Sequence, residues 1–255
     1  MTDSTKKSLL FISMLGENQH FNPDEFVSLC SSGQEKDWIL DWFSLMANKM
    51  GFSLLSVDIC RGDSLPKVDD IDCVILGGTM HVVTEDRPWL HALYAWLHQY
   101  RNAKKPLLGI CGGHQLVSTQ LENGKLEGRT SGTLAGTYEI ELTEMGCQHP
   151  LFNGLSKNPR FHFANYLHVV PSKTQKTNAL ARIGESSAIC IDHGFHWYTT
   201  QFHPESRREV WSCMYKRTEP EHVKNYSDDQ DGTALIRNFM KIAARELSGY
   251  PIGFS

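Results

Sequence analysis

Residues 109–115 read GICGGHQ and follow the short apolar run Pro106-Leu107-Leu108. One cysteine lies among three glycines, at the end of a run with the composition of a buried strand. A helical pattern then follows Cys111 through about Leu121. The stretch is therefore either a packed strand-to-helix turn with an inert thiol, or a turn that displays a nucleophile.

The pattern around this stretch predicts the fold class. Short apolar runs alternate with amphipathic segments in the first half, with strands at 8–14, 52–59, 72–76 and 106–110 and helices at 36–50 and 88–100. Such runs are typical of a parallel sheet covered on both faces. Strands joined by turns follow at 138–142, 188–192 and 196–202, then a polar, irregular stretch at 206–231 and a helix at 233–247. We predict an α/β three-layer sandwich with a mostly parallel central sheet, as a single domain of residues 1–255.

The composition excludes several classes of function. The net charge is −4 and basic residues form no long block, so a nucleic-acid partner is not expected. No apolar run reaches the length of a membrane span, which predicts no membrane association. Seven scattered cysteines favour reduced thiols in the cytoplasm over a disulfide framework. No pair of histidines or cysteines has the spacing of metal ligands, so we predict no metal and no cofactor.

The residues around Cys111 fit a nucleophile elbow. Small residues at Gly109 and Gly113 permit a strained backbone between strand and helix, in the pattern G-x-C-x-G. The cysteine would then project from the carboxyl edge of the sheet, and the helix behind it would favour a thiolate. His114 lies on that same helix, where adjacent side chains diverge, so we expect it to be structural.

The best candidate for the base lies in residues 199–206, TTQFHPES. His203 and Glu205 are two apart after a strand-like run, so their side chains can face a common site. Glu205 can accept from one ring nitrogen of His203 and leave the other to receive the thiol proton. A lone histidine would more often be a surface or core residue, but its pairing with a glutamate favours the catalytic interpretation.

Acyl chemistry also needs donors for a tetrahedral oxyanion. The backbone N–H of Gly112, next after the cysteine, is one candidate. The other is Gly78, in the stretch ILGGTM at residues 75–80, which ends the third predicted strand. A glycine pair alone could be a simple turn, but with Cys111, His203 and Glu205 it supplies the third part of one catalytic site.

These three pieces, GGTM, GICGGHQ and QFHPES in this order, resemble the class I (triad) glutamine amidotransferases. The stretch GGTMHVVTEDRPWL looks like stand-alone, GMP-synthase-like members of that family, and DGTALIRNFM resembles its closing helix. The resemblance covers roughly residues 50–245. It implies a flavodoxin-like fold, with Cys111, His203 and Glu205 as the catalytic triad and Gly78 and Gly112 as the oxyanion hole.

The resemblance also implies the reaction and the substrate site. Cys111 would attack the γ-carboxamide of glutamine, release ammonia and form a thioester that water hydrolyses. Gln115 matches a position that helps hold glutamine. Family members often carry H-S-L or H-x-D in the region equivalent to residues 161–171, where Asn165 and Tyr166 stand here. This departure allows a modified γ-glutamyl substrate.

The sequence leaves three functions open. The first is a glutaminase that passes ammonia to a separate synthase; the second is a γ-glutamyl hydrolase or peptidase acting on γ-glutamyl amines or peptides. The third is an inactive regulatory relative. Residues 207–231, with Trp211 and Tyr215 in polar sequence, suggest a segment that covers the site or docks a partner, or else a disordered loop.

Overall fold

A computed structural model describes residues 6–248 of the 255. Twelve strands lie within these residues: β1 (Lys7–Ser13), β2 (Phe52–Asp58), β3 (Cys73–Leu76), β4 (Leu107–Ile110), β5 (Lys125–Gly128), β6 (Leu134–Glu139), β7 (Glu141–Leu142), β8 (Arg160–Asn165), β9 (Leu167–Val170), β10 (Ala179–Ile183), β11 (Ser186–Asp192) and β12 (Trp197–Thr200). Eight α-helices accompany them: α1 (Glu35–Lys49), α2 (Pro88–Asn102), α3 (Gly112–Leu116), α4 (Glu144–Gln148), α5 (Lys173–Thr177), α6 (Arg208–Tyr215), α7 (Pro220–Val223) and α8 (Gly232–Glu246).

The central sheet has eight strands in the order β2-β1-β3-β4-β12-β11-β10-β7. The first five are mutually parallel, and β11, β10 and β7 continue the sheet in antiparallel pairs. The parallel part has the strand order of flavodoxin-like folds. The predicted fold class, α/β with a mostly parallel central sheet, is therefore confirmed.

Alternation along the strands builds the two outer layers. In β1, Leu9 and Phe11 enter one hydrophobic core, while Leu10 and Ile12 enter the other. Successive side chains of a strand point to opposite faces, so one strand supplies both cores. Helices α1 and α8 pack into the first core and α2 into the second, which gives three layers. No helix in residues 6–248 is both long and apolar enough to cross a bilayer.

The structure differs from the predicted elements mainly after residue 110. The helix after Cys111 is regular only to Leu116 and continues as a π-helical turn at Val117–Leu121. The strand predicted at 138–142 is divided between β6 and β7. Two small antiparallel sheets, β5 with β9 and β6 with β8, were not predicted from the sequence.

The prediction of an irregular stretch at 206–231 was wrong, because α6 and α7 lie within it. Helix α6 is short, and only Val210 and Trp211 of its residues are buried. Tyr226, beyond α7, is also buried, and its hydroxyl donates to the Phe163 carbonyl over 2.6 Å. Contacts with the rest of the chain thus order a segment whose own sequence has little helical signal.

Candidate active site

Three neighbouring strands bring the predicted catalytic residues to one edge of the sheet. Strand β3 leads into Gly78, β4 leads into Cys111, and β12 leads to His203. Because β3, β4 and β12 are adjacent and parallel, their carboxyl ends meet at the same edge. This is where open α/β sheets place their ligands.

The turn at Cys111 is strained and tightly packed. Cys111 has φ 48° and ψ −99°, in a region that side chains rarely occupy, and its N–H donates to Thr200 over 2.7 Å. A methyl group on Gly113 would lie 2.6 Å from the Leu76 carbonyl oxygen, and one on Gly109 would lie 3.0 Å from Gly113. The glycines are required here because neighbouring backbone leaves no space for a side chain.

His203 and Glu205 form a buried pair. Nδ1 of His203 lies 2.8 Å from Oε1 of Glu205, and the His203 N–H donates to the His162 carbonyl over 2.8 Å. Burial by itself lowers the pKa of His203, but the charges of Glu205 and Cys111 outweigh it and hold that pKa well above its usual value. The arrangement therefore favours the imidazolium form of His203 beside Cys111.

Gly78 lies against the side chains of His203 and Cys111. A methyl group on Gly78 would be 3.0 Å from Cε1 of His203 and 3.5 Å from Cβ of Cys111. A methyl group on Gly112 would be 2.4 Å from Cγ2 of Thr79 and 2.8 Å from its backbone nitrogen. The Gly78–Thr79 loop is therefore packed directly on the elbow. Neither the Gly78 nor the Gly112 N–H donates a hydrogen bond within residues 6–248.

The three residues assigned to substrate binding line one cavity of about 290 Å³ with Cys111. Nε2 of Gln115 donates to the Leu167 carbonyl (3.3 Å), and Nδ2 of Asn165 donates to the same oxygen (2.9 Å). Oδ1 of Asn165 is buried without a partner in the described chain. Tyr166 is 55% exposed at the rim. We call Gln115, Asn165 and Tyr166 the polar wall.

A second part of the lining was not predicted from the sequence. Six apolar side chains form it, and we call them the apolar wall: Leu15, Trp38, Met80, Val210, Trp211 and Met214. The indole of Trp211 meets the imidazole of His203 edge-on, with ring centroids 4.8 Å apart, and donates from Nε1 to Oγ of Ser206. From the sequence, Trp38 is predicted only to be a core residue of an amphipathic helix, because no local pattern indicates its contact with the cavity.

Glu35 also lines the cavity and was not predicted. This carboxyl group lies in the first turn of α1, is 5% exposed, and accepts from the Ser13 hydroxyl over 2.7 Å. Burial, with smaller effects of Glu205 and Asp58, raises its pKa to about 8. Glutamate in a first helical turn is ordinary in sequence, so only the tertiary contacts reveal a buried acid near His203 and Glu205.

His114 lies in a separate buried network. Its Nδ1 is 2.8 Å from Oγ1 of Thr199, which also contacts His193, and His114 does not line the cavity. Burial, and then the charge of His193, lowers the pKa of His114 to about 3. A neutral histidine fixed in this way supports the elbow helix.

One cluster brings together possible metal ligands that the sequence does not indicate. Glu17, His20 and His81 have ligand atoms within 4.8 Å of one another. Both carboxylate oxygens of Glu17 are already engaged, by Nε1 of Trp89 and by the guanidinium of Arg87, each at 2.8 Å. Because the Arg87 charge would repel a cation, we assign no metal to this cluster.

Comparison with known proteins identifies the family. The family description "Glutamine amidotransferase class-I" matches residues 48–218. The imidazole glycerol phosphate synthase subunit HisH of Synechococcus elongatus is 31% identical over 124 residues, 43% of this chain. That match spans 56% of the subunit, so the chain covers little more than half of this relative's length.

Two further comparisons cover more of the chain. HisH of Pasteurella multocida is 26% identical over 196 residues, 71% of this chain and 94% of that protein. A crystal structure of a glutamine amidotransferase from Thermotoga maritima superposes with a TM-score of 0.70 and 16% identity, covering 94% of this chain and 98% of that one. The superposition supports the fold, and the family match extends over two thirds of the sequence. The chain belongs to the class I glutamine amidotransferases.

Proposed function

We propose that this protein hydrolyses the γ-carboxamide of glutamine through a thioester on Cys111. The single observation that carries the proposal is the His203 ring held between the Glu205 carboxylate and the elbow cysteine. A thiolate beside a histidinium is the nucleophile–acid pair that amide cleavage requires. The other residues of the site would bind the substrate or stabilise the oxyanion.

The reaction proceeds in two steps. Sγ of Cys111 attacks the carbonyl carbon of the γ-carboxamide, His203 gives a proton to the departing nitrogen, and ammonia leaves as the γ-glutamyl thioester forms. Water then attacks the thioester with His203 as base, and glutamate and the free thiol are regenerated. The N–H groups of Gly78 and Gly112 would stabilise the oxyanion in both steps. The chemistry uses only these groups, so the proposal includes no cofactor.

The polar wall would hold the amino-acid end of glutamine. Nearly buried amide groups on Gln115 and Asn165 can meet the α-amino and α-carboxylate groups, and the unpartnered Oδ1 of Asn165 is a free acceptor. Tyr166 would close the rim of the cavity. All seven cysteines are unpaired, which agrees with a reaction in the reducing cytoplasm.

We further propose that a separate synthase receives the ammonia. The relatives named HisH are subunits of a synthase, which supports a division between an ammonia-producing chain and an acceptor chain.

The test is glutamate release from glutamine by the purified full-length protein. Cys111→Ala should abolish release, while Cys147→Ala, which changes an exposed cysteine of α4, should keep it. A diazoketone analogue of glutamine should alkylate Cys111 alone, as read by mass spectrometry, even if turnover without a partner is slow. Turnover that survives Cys111→Ala, or failure of both turnover and alkylation in the wild type, would refute the proposal.

A further inference from the structure

The active-site cavity is lined by the apolar wall as well as by the polar wall. Leu15, Trp38 and Val210 belong to one packed core cluster, and Met80 and Met214 pack against it, so the apolar wall is continuous. Trp211 extends this wall to the catalytic histidine. Glutamine releases ammonia, which has no carbon atoms to bury against such a wall.

The chemistry of amide cleavage fixes where a leaving group lies. His203 must reach the departing nitrogen to give it a proton, so that nitrogen lies within hydrogen-bond distance of the imidazole. The first atom of any substituent on that nitrogen therefore lies close to the His203 ring. The side chain in ring contact with His203 is Trp211, and Val210 and Met214 follow on the same helix. The substituent would enter the apolar wall.

Helix α6 is held firmly enough to act as a wall. Trp211 stacks on Tyr226 with ring centroids 5.1 Å apart, and Arg207 lies over the Trp42 ring at 4.3 Å. At the other end of the helix, Oγ of Ser28 contacts Sγ of Cys213 at 3.4 Å. The helix is thus tied both to α1 and to the segment that follows α7.

We infer that the apolar wall is a leaving-group site, and that the enzyme cleaves γ-glutamyl amides whose nitrogen carries an unbranched alkyl or an aryl group. This inference rests on the proposed thioester chemistry and adds a substrate class to it. Sγ of Cys111 bonds to the carbonyl carbon of the γ-amide, the C–N bond of that amide breaks, and the thiol proton passes through His203 to the departing amine. The Glu35 carboxyl lines the same cavity, and burial raises its pKa to about 8, which favours the uncharged form beside this wall at neutral pH.

The test compares kcat/KM for glutamine and its N-methyl, N-butyl and N-(3-hydroxypropyl) γ-amides, measured as glutamate release. Burial of each methylene is worth about a fourfold change, so the butylamide should exceed the methylamide by tenfold or more. The hydroxypropylamide has as many heavy atoms as the butylamide and should lose most of this gain. The value of kcat/KM reports the steps up to thioester formation, which are the steps that contain the leaving group.

A matched pair of variants locates the site. Met214→Asp places a charge in the apolar wall and should lower kcat/KM for the butylamide at least tenfold more than for glutamine. Ser212→Asp adds the same charge on α6 outside the cavity lining and should leave the ratio of the two substrates at its wild-type value.

The outcomes separate this inference from the proposed function. Suppose that Cys111 cleaves glutamine but kcat/KM falls steadily from glutamine to the butylamide. The inference of a leaving-group site is then wrong, while the proposed glutaminase activity is retained. An equal effect of Met214→Asp on both substrates would also overturn it. If no γ-glutamyl compound is cleaved and Cys111 is not alkylated, the thioester chemistry fails and the inference fails with it.

Discussion

Glu35 provides a quantitative test of the electrostatics around the site. The carboxyl group is buried beside Glu205, and burial is the main cause that raises its pKa to about 8. The Ser13 hydrogen bond and the charge of His203 act in the opposite direction, while Glu205 and Asp58 raise the pKa further. Glu35→Gln keeps the shape and removes the ionisation.

The direction of the pH dependence of stability follows from the pKa of Glu35 in the unfolded chain and in the folded chain. An unfolded chain has a glutamate pKa of 4.5, so between pH 4.5 and about 8 the folded state holds a proton that the unfolded state has lost. The stabilisation from Glu35 is fully present below pH 4.5 and is lost as the pH rises through about 8. At up to about 1.4 kcal/mol per pH unit, the wild type should lose about 3 to 4 kcal/mol relative to Glu35→Gln between pH 5 and 8.

Urea unfolding followed by tryptophan fluorescence and circular dichroism at pH 5, 6, 7 and 8 would measure this difference. Coincidence of the two signals tests that the transition is two-state. Glu221→Gln, which changes an exposed carboxyl of α7, is the control and should parallel the wild type. If the stability difference between wild type and Glu35→Gln does not change across this range, the reasoning about the buried acid is refuted.

Two further predictions concern the catalytic edge of the sheet. Glu205→Gln removes a charge-assisted hydrogen bond worth about 1.5–3 kcal/mol and should lower kcat/KM roughly 10- to 150-fold. The control Glu209→Gln changes an exposed carboxyl of α6 and should keep the wild-type kcat/KM. A wild-type rate in Glu205→Gln would rule out a role of Glu205 in orienting His203. Gly112→Ala places a methyl 2.4 Å from the Thr79 side chain, so activity should fall by about 100-fold and the free energy of unfolding by about 1–3 kcal/mol. Gly128→Ala, with no atom within 4 Å, should change neither, and equal behaviour of the two alanine variants would contradict the close packing of the loop.

The segment at 207–231 illustrates why some elements escaped prediction. Helix α6 spans eight residues, too few to form stably by propensity alone. Its order comes from Trp211, which packs between His203 and Tyr226, and both partners lie outside the helix itself. The hypothesis that this segment covers the site agrees with its place in the cavity lining, while partner docking stays a prediction.

The sequence by itself determined the layered α/β fold and a short set of candidate residues. Apolar runs and strand-end glycines are local signals, and Cys111, Gly78 and His203 each follow a strand in the pattern, so their meeting at one sheet edge could be anticipated. Only the tertiary structure decided the burial of Glu35 and the apolar wall, including Trp38 and Trp211. These depend on which distant surfaces pack together, and neither periodicity nor composition encodes the distance between residues that lie more than 150 positions apart.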